Sequence, residues 1–168
     1  GLAWFGGQPS ANPQADNFDS GALSSGWTQY VFNPALVSFT FPASGSGKAL
    51  RIVANPVPDA APAAAAIAQT NEYTDFYVAV DLVDWDENKD QAVVLLGQWT
   101  PGGAAGLAEG TGMILNYDVL QDGENAGDRK GGQLQINAIF PGFAASTRAA
   151  ANTTFERGRS YRFVFQGV

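Results

Sequence analysis

The pattern most suggestive of chemistry is Asp84-Trp85-Asp86-Glu87-Asn88-Lys89-Asp90. Oxygen donors recur at alternate positions, on Asp84, Asp86, Asn88 and Asp90, which resembles the first half of a calcium loop. Calcium is a hard cation that takes several carboxylate and carbonyl oxygens. The helix-loop-helix form of such a loop fails, because Lys89 stands where the turn glycine belongs and Leu95 where the bidentate glutamate belongs. A non-helical calcium turn with a structural role is one expectation; a solvated acidic hairpin between two buried strands is the plainer one. Two further acidic groups, Asp16 with Asp19 and the Asp118–Asp128 stretch, read as turn caps and as a charge-balanced loop beside Arg129-Lys130.

Sugar recognition needs aromatic faces for the CH side of a pyranose and planar polar side chains for its hydroxyls. The candidates are Trp85, Trp99, Tyr117 and Asn116, the two tryptophans lying near strand ends where loops build sites. The alternative for each aromatic residue is core packing, which is assigned outright to Trp27. Glycoside hydrolysis needs two flanking carboxyl groups, about 5–5.5 Å apart for a retaining mechanism. Asp84 and Asp86 with Asp81 are the nearest arrangement, and Glu87 is out of phase with them, so the chain is expected not to be an enzyme.

Other chemistries are closed. The 168 residues contain no histidine and no cysteine, which removes the usual general base, the Ser-His-Asp arrangement, thiolate nucleophiles and disulfides. A net charge of −7 repels phosphate backbones and anionic membrane surfaces, so neither nucleic acid nor membrane is an expected partner. No apolar run reaches the ~20 residues of a membrane span. Asn152-Thr153-Thr154 fits a glycosylation acceptor triplet, significant only in a source that glycosylates exported proteins.

The elements that would position these residues are strands. Alternation with period two runs through Trp27–Phe32, Val37–Phe41, Leu50–Ala54, Met113–Tyr117, Gln133–Ala138 and Tyr161–Gln166. Phe76–Val83 is apolar on both faces, as a strand central to a sandwich would be, and Gln91–Trp99 follows it. Turn chemistry separates the runs at Asn55-Pro56, Pro101-Gly102-Gly103, Asp122-Gly123, Gly131-Gly132, Pro141-Gly142 and Arg157-Gly158. Twenty glycines and nine prolines fit many short strands. Ala60–Ala68 is open between a loop, one helical turn and a strand ending at Gln69. Residues 1–15, with the Trp4-Phe5 pair, read as a leader or a docking segment, and 16–168 as one sandwich domain. No signal peptide is visible, so an exported protein would be present in processed form. The apolar run Arg159–Val168 would leave a long exposed edge, so either the chain is a fragment or a partner strand comes from another chain or from the N-terminal segment.

Asp16-Asn17-Phe18-Asp19-Ser20-Gly21 followed by Gly26-Trp27-Thr28, the phrase Tyr73–Trp85, and Arg159-Ser160-Tyr161-Arg162-Phe163-Val164-Phe165 resemble bacterial laminin-G-like domains of the concanavalin A-like lectin/glucanase superfamily. The resemblance runs from about Asp16 onward. It implies an all-β fold, an antiparallel two-sheet jelly-roll sandwich, here lacking the last strands such domains carry, in a protein exported from a bacterium to the cell surface. The leading expectation is a non-catalytic carbohydrate-binding or adhesion module whose partner is a glycan or cell-surface polysaccharide. The alternatives are a structural subunit that forms homo-oligomers through edge strands, by strand donation, and, more weakly, a glycoside hydrolase.

Overall fold

The computed structural model describes residues 15–55, 63–69, 75–87, 91–102, 106–119, 121–122 and 129–167. Among them there is no α-helix, and every register-paired strand couple is antiparallel. The described residues divide into two compact units, one within 15–72 and 101–109, the other within 73–100 and 110–167.

The first of these units holds β1 (Trp27–Phe32), β2 (Val37–Thr40), β3 (Ala43–Ser44), β4 (Gly47–Lys48), β5 (Arg51–Ala54) and β6 (Ala64–Gln69). They form three two-stranded pairs, β1-β6, β2-β5 and β3-β4. Its entry is fixed by an aspartate: Asp16 accepts hydrogen bonds from Phe18 N at 2.8 Å and Ser24 N at 3.0 Å. Those N–H groups hold the Asp16 carboxyl below the ordinary aspartate range; Ser24 contributes most, and partial burial opposes it. Asp19 reaches further along the chain and accepts from Lys48 N at 2.9 Å. Trp27, expected in the core, is half-buried in this unit.

The other unit carries the main core. Its strands are β7 (Phe76–Leu82), β8 (Ala92–Gly102), β9 (Gly106–Asp118), the short pair β10 (Gln121–Asp122) and β11 (Arg129–Lys130), then β12 (Gln133–Phe140), β13 (Ala144–Asn152) and β14 (Tyr161–Gly167). The tips of β8 and β9 run on into the first unit. A four-stranded sheet has the order β13-β12-β9-β8, and β14 pairs with β7. Leu95, Leu115, Tyr117, Leu134 and Ile136 of the larger sheet cluster with Val78, Val80, Leu82, Tyr161, Phe163 and Phe165 of the β7-β14 ribbon. This is the sandwich-like arrangement that strict alternation produces when each strand buries one face.

The two-sided apolar reading of β7 does not hold. Tyr77, Ala79 and Asp81 alternate outward, and only Val78, Val80 and Leu82 enter the core. Tyr77 is 60% exposed, and Asp81 is gripped by both forks of Arg162, at 2.7 and 2.6 Å. Of the turn expected at Pro101-Gly102-Gly103, the first two residues end β8 and Gly103 lies outside the described residues. Among the three options for Ala60–Ala68, the strand is the one found, as β6. The pattern gave no sign of β13, an Ala-rich strand paired with β12 after a turn at Pro141–Phe143. Gly142 makes that turn possible, at φ 77°.

An aromatic cluster locks the β13–β14 connection. Phe155 stacks on Tyr161 with ring centres 4.3 Å apart and lies 4.2 Å from Tyr117. The Tyr117 hydroxyl accepts from Phe155 N at 3.0 Å, and the Tyr161 hydroxyl from Glu156 N at 2.9 Å. Tyr161 opens β14 and bonds the backbone five residues upstream, the same device as the tyrosine corner of immunoglobulin-type sandwiches.

Candidate functional site: a carboxamide face on the four-stranded sheet

Because side chains alternate along a strand, the larger sheet has a second face, turned away from the core. On β12 it carries Gln133, Gln135, Asn137 and Ile139. Register places Asp118 opposite Gln133, Asn116 opposite Gln135, and Ile114 opposite Asn137 on β9. On the β13 side the same residues meet Asn152, Ala150 and Thr147.

Five carboxamides on this face form a relay with one direction. Asn137 Nδ2 donates to Asn116 Oδ1 at 2.6 Å and to Gln135 Oε1 at 3.0 Å. Asn116 Nδ2 donates to the same Gln135 oxygen at 3.3 Å. Gln135 Nε2 donates to Gln133 Oε1, and Gln133 Nε2 to Asn152 Oδ1 at 2.9 Å. Bonds aligned in this way polarise one another and fix each amide's orientation. The inner members Asn116 and Asn137 are 6% and 5% exposed. Gln133 and Gln135 are half-buried and Asn152 is exposed. The relay therefore runs from an enclosed centre to an open rim. Its inner end is incomplete, since Asn137 Oδ1 is buried and has no hydrogen-bond partner.

Trp99 shares this face. Gly112 pairs with Ile139, and Gly110, two positions earlier, points the same way. The indole of Trp99 lies where a side chain at Gly110 would stand, so any larger residue there would displace the ring. Between Gly97 and Trp99, Gln98 takes a left-handed conformation, φ 44°, which shifts β8 locally.

Of the four candidate sugar contacts, the structure thus brings Asn116 and Trp99 to one face and sends the other two elsewhere. Trp85 is 7% exposed and packs edge-on against Tyr161, ring centres 6.0 Å apart. Tyr117 is 1% exposed at the centre of the core. Neither ring is open to a sugar face. Sequence reasoning missed Gln133, Gln135, Asn137 and Asn152 as a set; the alternation Gln-x-Gln-x-Asn on one strand was the signal.

The acidic candidates are also partly placed. Asp84 lies 3.6 Å from Arg157 Nε, both side chains about half exposed. The Asp86 carbonyl accepts from Gln91 Nε2 at 2.6 Å. Asn88 and Asp90 lie outside the described residues, as do Trp4 and Phe5. Among the described residues no group of three or more carboxylates is placed to hold a metal. Of the four expected calcium ligands, only Asp84 and Asp86 are therefore placed, one beside a guanidinium and the other with its backbone carbonyl bonded to Gln91. Asp81, the third carboxylate weighed for hydrolysis, is committed to Arg162. That contact holds its carboxyl below the ordinary range, chiefly through the hydrogen bond itself.

Comparison with protein-family models, with curated proteins and with solved structures finds no match for this chain.

Proposed function

We propose that this chain is a non-catalytic carbohydrate-binding or adhesion module of jelly-roll type, of the laminin-G-like kind, exported by a bacterium and acting at the cell surface. The observation that carries the reading is the relay of five carboxamides reaching the open rim at Gln133 and Asn152. Each amide offers a donor and an acceptor a short distance apart, which matches the hydroxyls of a sugar ring. Because the relay fixes these groups beforehand, little ordering cost remains for the ligand to offset. Trp99 supplies an aromatic ring on the same face.

The experiment is retention in native gels containing soluble polysaccharides, with pull-down on insoluble ones. Wild-type protein is expected to be retarded by at least one glycan. Gln133→Ala with Asn152→Ala should weaken that binding by about ten-fold, the worth of one or two hydrogen bonds, with the circular dichroism spectrum unchanged. No retardation by any glycan, or an unaffected variant, overturns the reading.

A second reading, a subunit that assembles by strand addition, is favoured by β13. It stands at the end of its sheet and eight of its nine residues are exposed. An edge of that length is a template for another strand, which the bulge at Arg148 opposes. Light scattering after size exclusion distinguishes the two: a monomer that binds glycan supports the first, a concentration-dependent polymer the second.

A further inference from the structure

We propose that the amide face selects an uncharged glycan, and that a hydroxyl of this ligand donates to Asn137 Oδ1 and so completes the relay. The inference rests on the carbohydrate-binding reading and specifies its ligand class.

Two independent observations carry it. The first is the orphan acceptor. A buried carbonyl oxygen without a donor is costly, and buried polar groups are nearly always satisfied. Asn137 cannot mend this by turning over among its present neighbours, because its Nδ2 already faces the oxygens of Asn116 and Gln135. Reversal would set oxygen against oxygen. What the position lacks is a donor, and a hydroxyl is a donor that a sugar has in abundance. Thr147, directly opposite Asn137, is exposed, and the register between the strands breaks at Ile136/Asn137, so a hydroxyl would enter from the β13 side, displacing the cover that now closes Asn137 Oδ1 to solvent.

The second is the charge of the surroundings. Among the described residues, the polar groups of the face on β9, β12 and β13 are carboxamides, Thr147 and the carboxylate of Asp118. Of the arginines of β13, of the β13–β14 connection and of β14, Arg157 is engaged with Asp84, Arg159 with Glu156 and Arg162 with Asp81, while Arg148 stands exposed at the bulge beside Thr147. A sulfate or uronate laid on this face would lose hydration beside Asp118, on a chain of net charge −7, with the solvent-exposed Arg148 as its nearest described opposite charge, and an exposed ion pair returns little. A neutral sugar meets no such penalty.

The test compares neutral glucans, galactans and mannans with sulfated and uronic acid polysaccharides in the same gels, at low and at physiological salt. The expected outcome is retention by a neutral polymer with little dependence on salt. Two variants then probe Asn137. Asn137→Leu removes the acceptor, and Thr147→Phe blocks the approach from an exposed position that leaves the relay intact. Each should lower affinity for the retained glycan by about ten-fold, with Thr147→Phe folding as the wild type does. Preference for an anionic polymer, or full binding by Thr147→Phe, overturns this inference while leaving carbohydrate binding in place. Failure of the wild type to bind any glycan defeats the underlying reading instead.

Discussion

Tyr161 shows how much one hydroxyl can fix. It is the first residue of β14, it stacks on Phe155, and it accepts from Glu156 N. Tyr161→Phe keeps the stack and removes the acceptor, so we expect a loss of about 1 kcal/mol in urea denaturation. Phe155→Ala opens the contact between Tyr117, Tyr161 and Phe163 and should cost about 3–5 kcal/mol. The carboxylates give a pH dependence of defined sign. Asp16 and Asp81 have folded-state pKa values below the ordinary 3.8. Their contribution is therefore present above that value and lost as pH falls through the lower, folded one. Acid titration followed by circular dichroism should show stability falling below about pH 4, less steeply in Asp16→Asn. At this scale the sequence was ambiguous for a physical reason. A Trp or Tyr beside a turn satisfies the needs of a binding platform and of a core equally well. Only the partner across the sheet decides, and for Tyr117 that partner includes Phe163 from a distant strand.

Strand β13 separates what a pattern can reveal from what it cannot. β1, β2, β5, β12 and β14 announce themselves by alternation, and their bounds lie within two residues of those the alternation gives. β13 reads Ala-Ala-Ser-Thr-Arg-Ala-Ala-Ala-Asn, with no contrast between faces and weak intrinsic strand preference; pairing with β12 makes it a strand. The amide face was likewise half legible: the alternation of β12 was plain, but the match of its amides to Asn116 depends on register. The same strand has a built-in protection. Ile136 pairs with Ala149 and Asn137 with Thr147, so Arg148 is an extra residue that bulges the edge. A bulge and a charge are two of the ways natural sheets discourage edge-to-edge association. Deleting Arg148 should straighten the edge and raise the mass seen by light scattering; an unchanged monomer would show that the bulge has no such role. In the β7–β8 connection, Arg157 already faces Asp84, so millimolar calcium should leave the melting temperature nearly unchanged. A rise of several degrees that Asp84→Asn abolishes would bring Asn88 and Asp90 into a cation site after all.

Across the whole molecule, contacts join residues far apart in the chain. β1 pairs with β6, and Leu82 of β7 pairs with Tyr161 of β14. Such topology folds slowly, in milliseconds to seconds, because loop closure precedes any reward; stopped-flow refolding followed by tryptophan fluorescence checks this. Phe163 sits 5% exposed at the junction of ribbon and sheet, and Phe163→Ala should cost about 3–5 kcal/mol and speed unfolding. The β7–β14 pairing has a further consequence for biosynthesis. A ribosome delivers β7 long before β14, so the inner face of β7, with Val78, Val80 and Leu82, waits uncovered while the intervening strands are made.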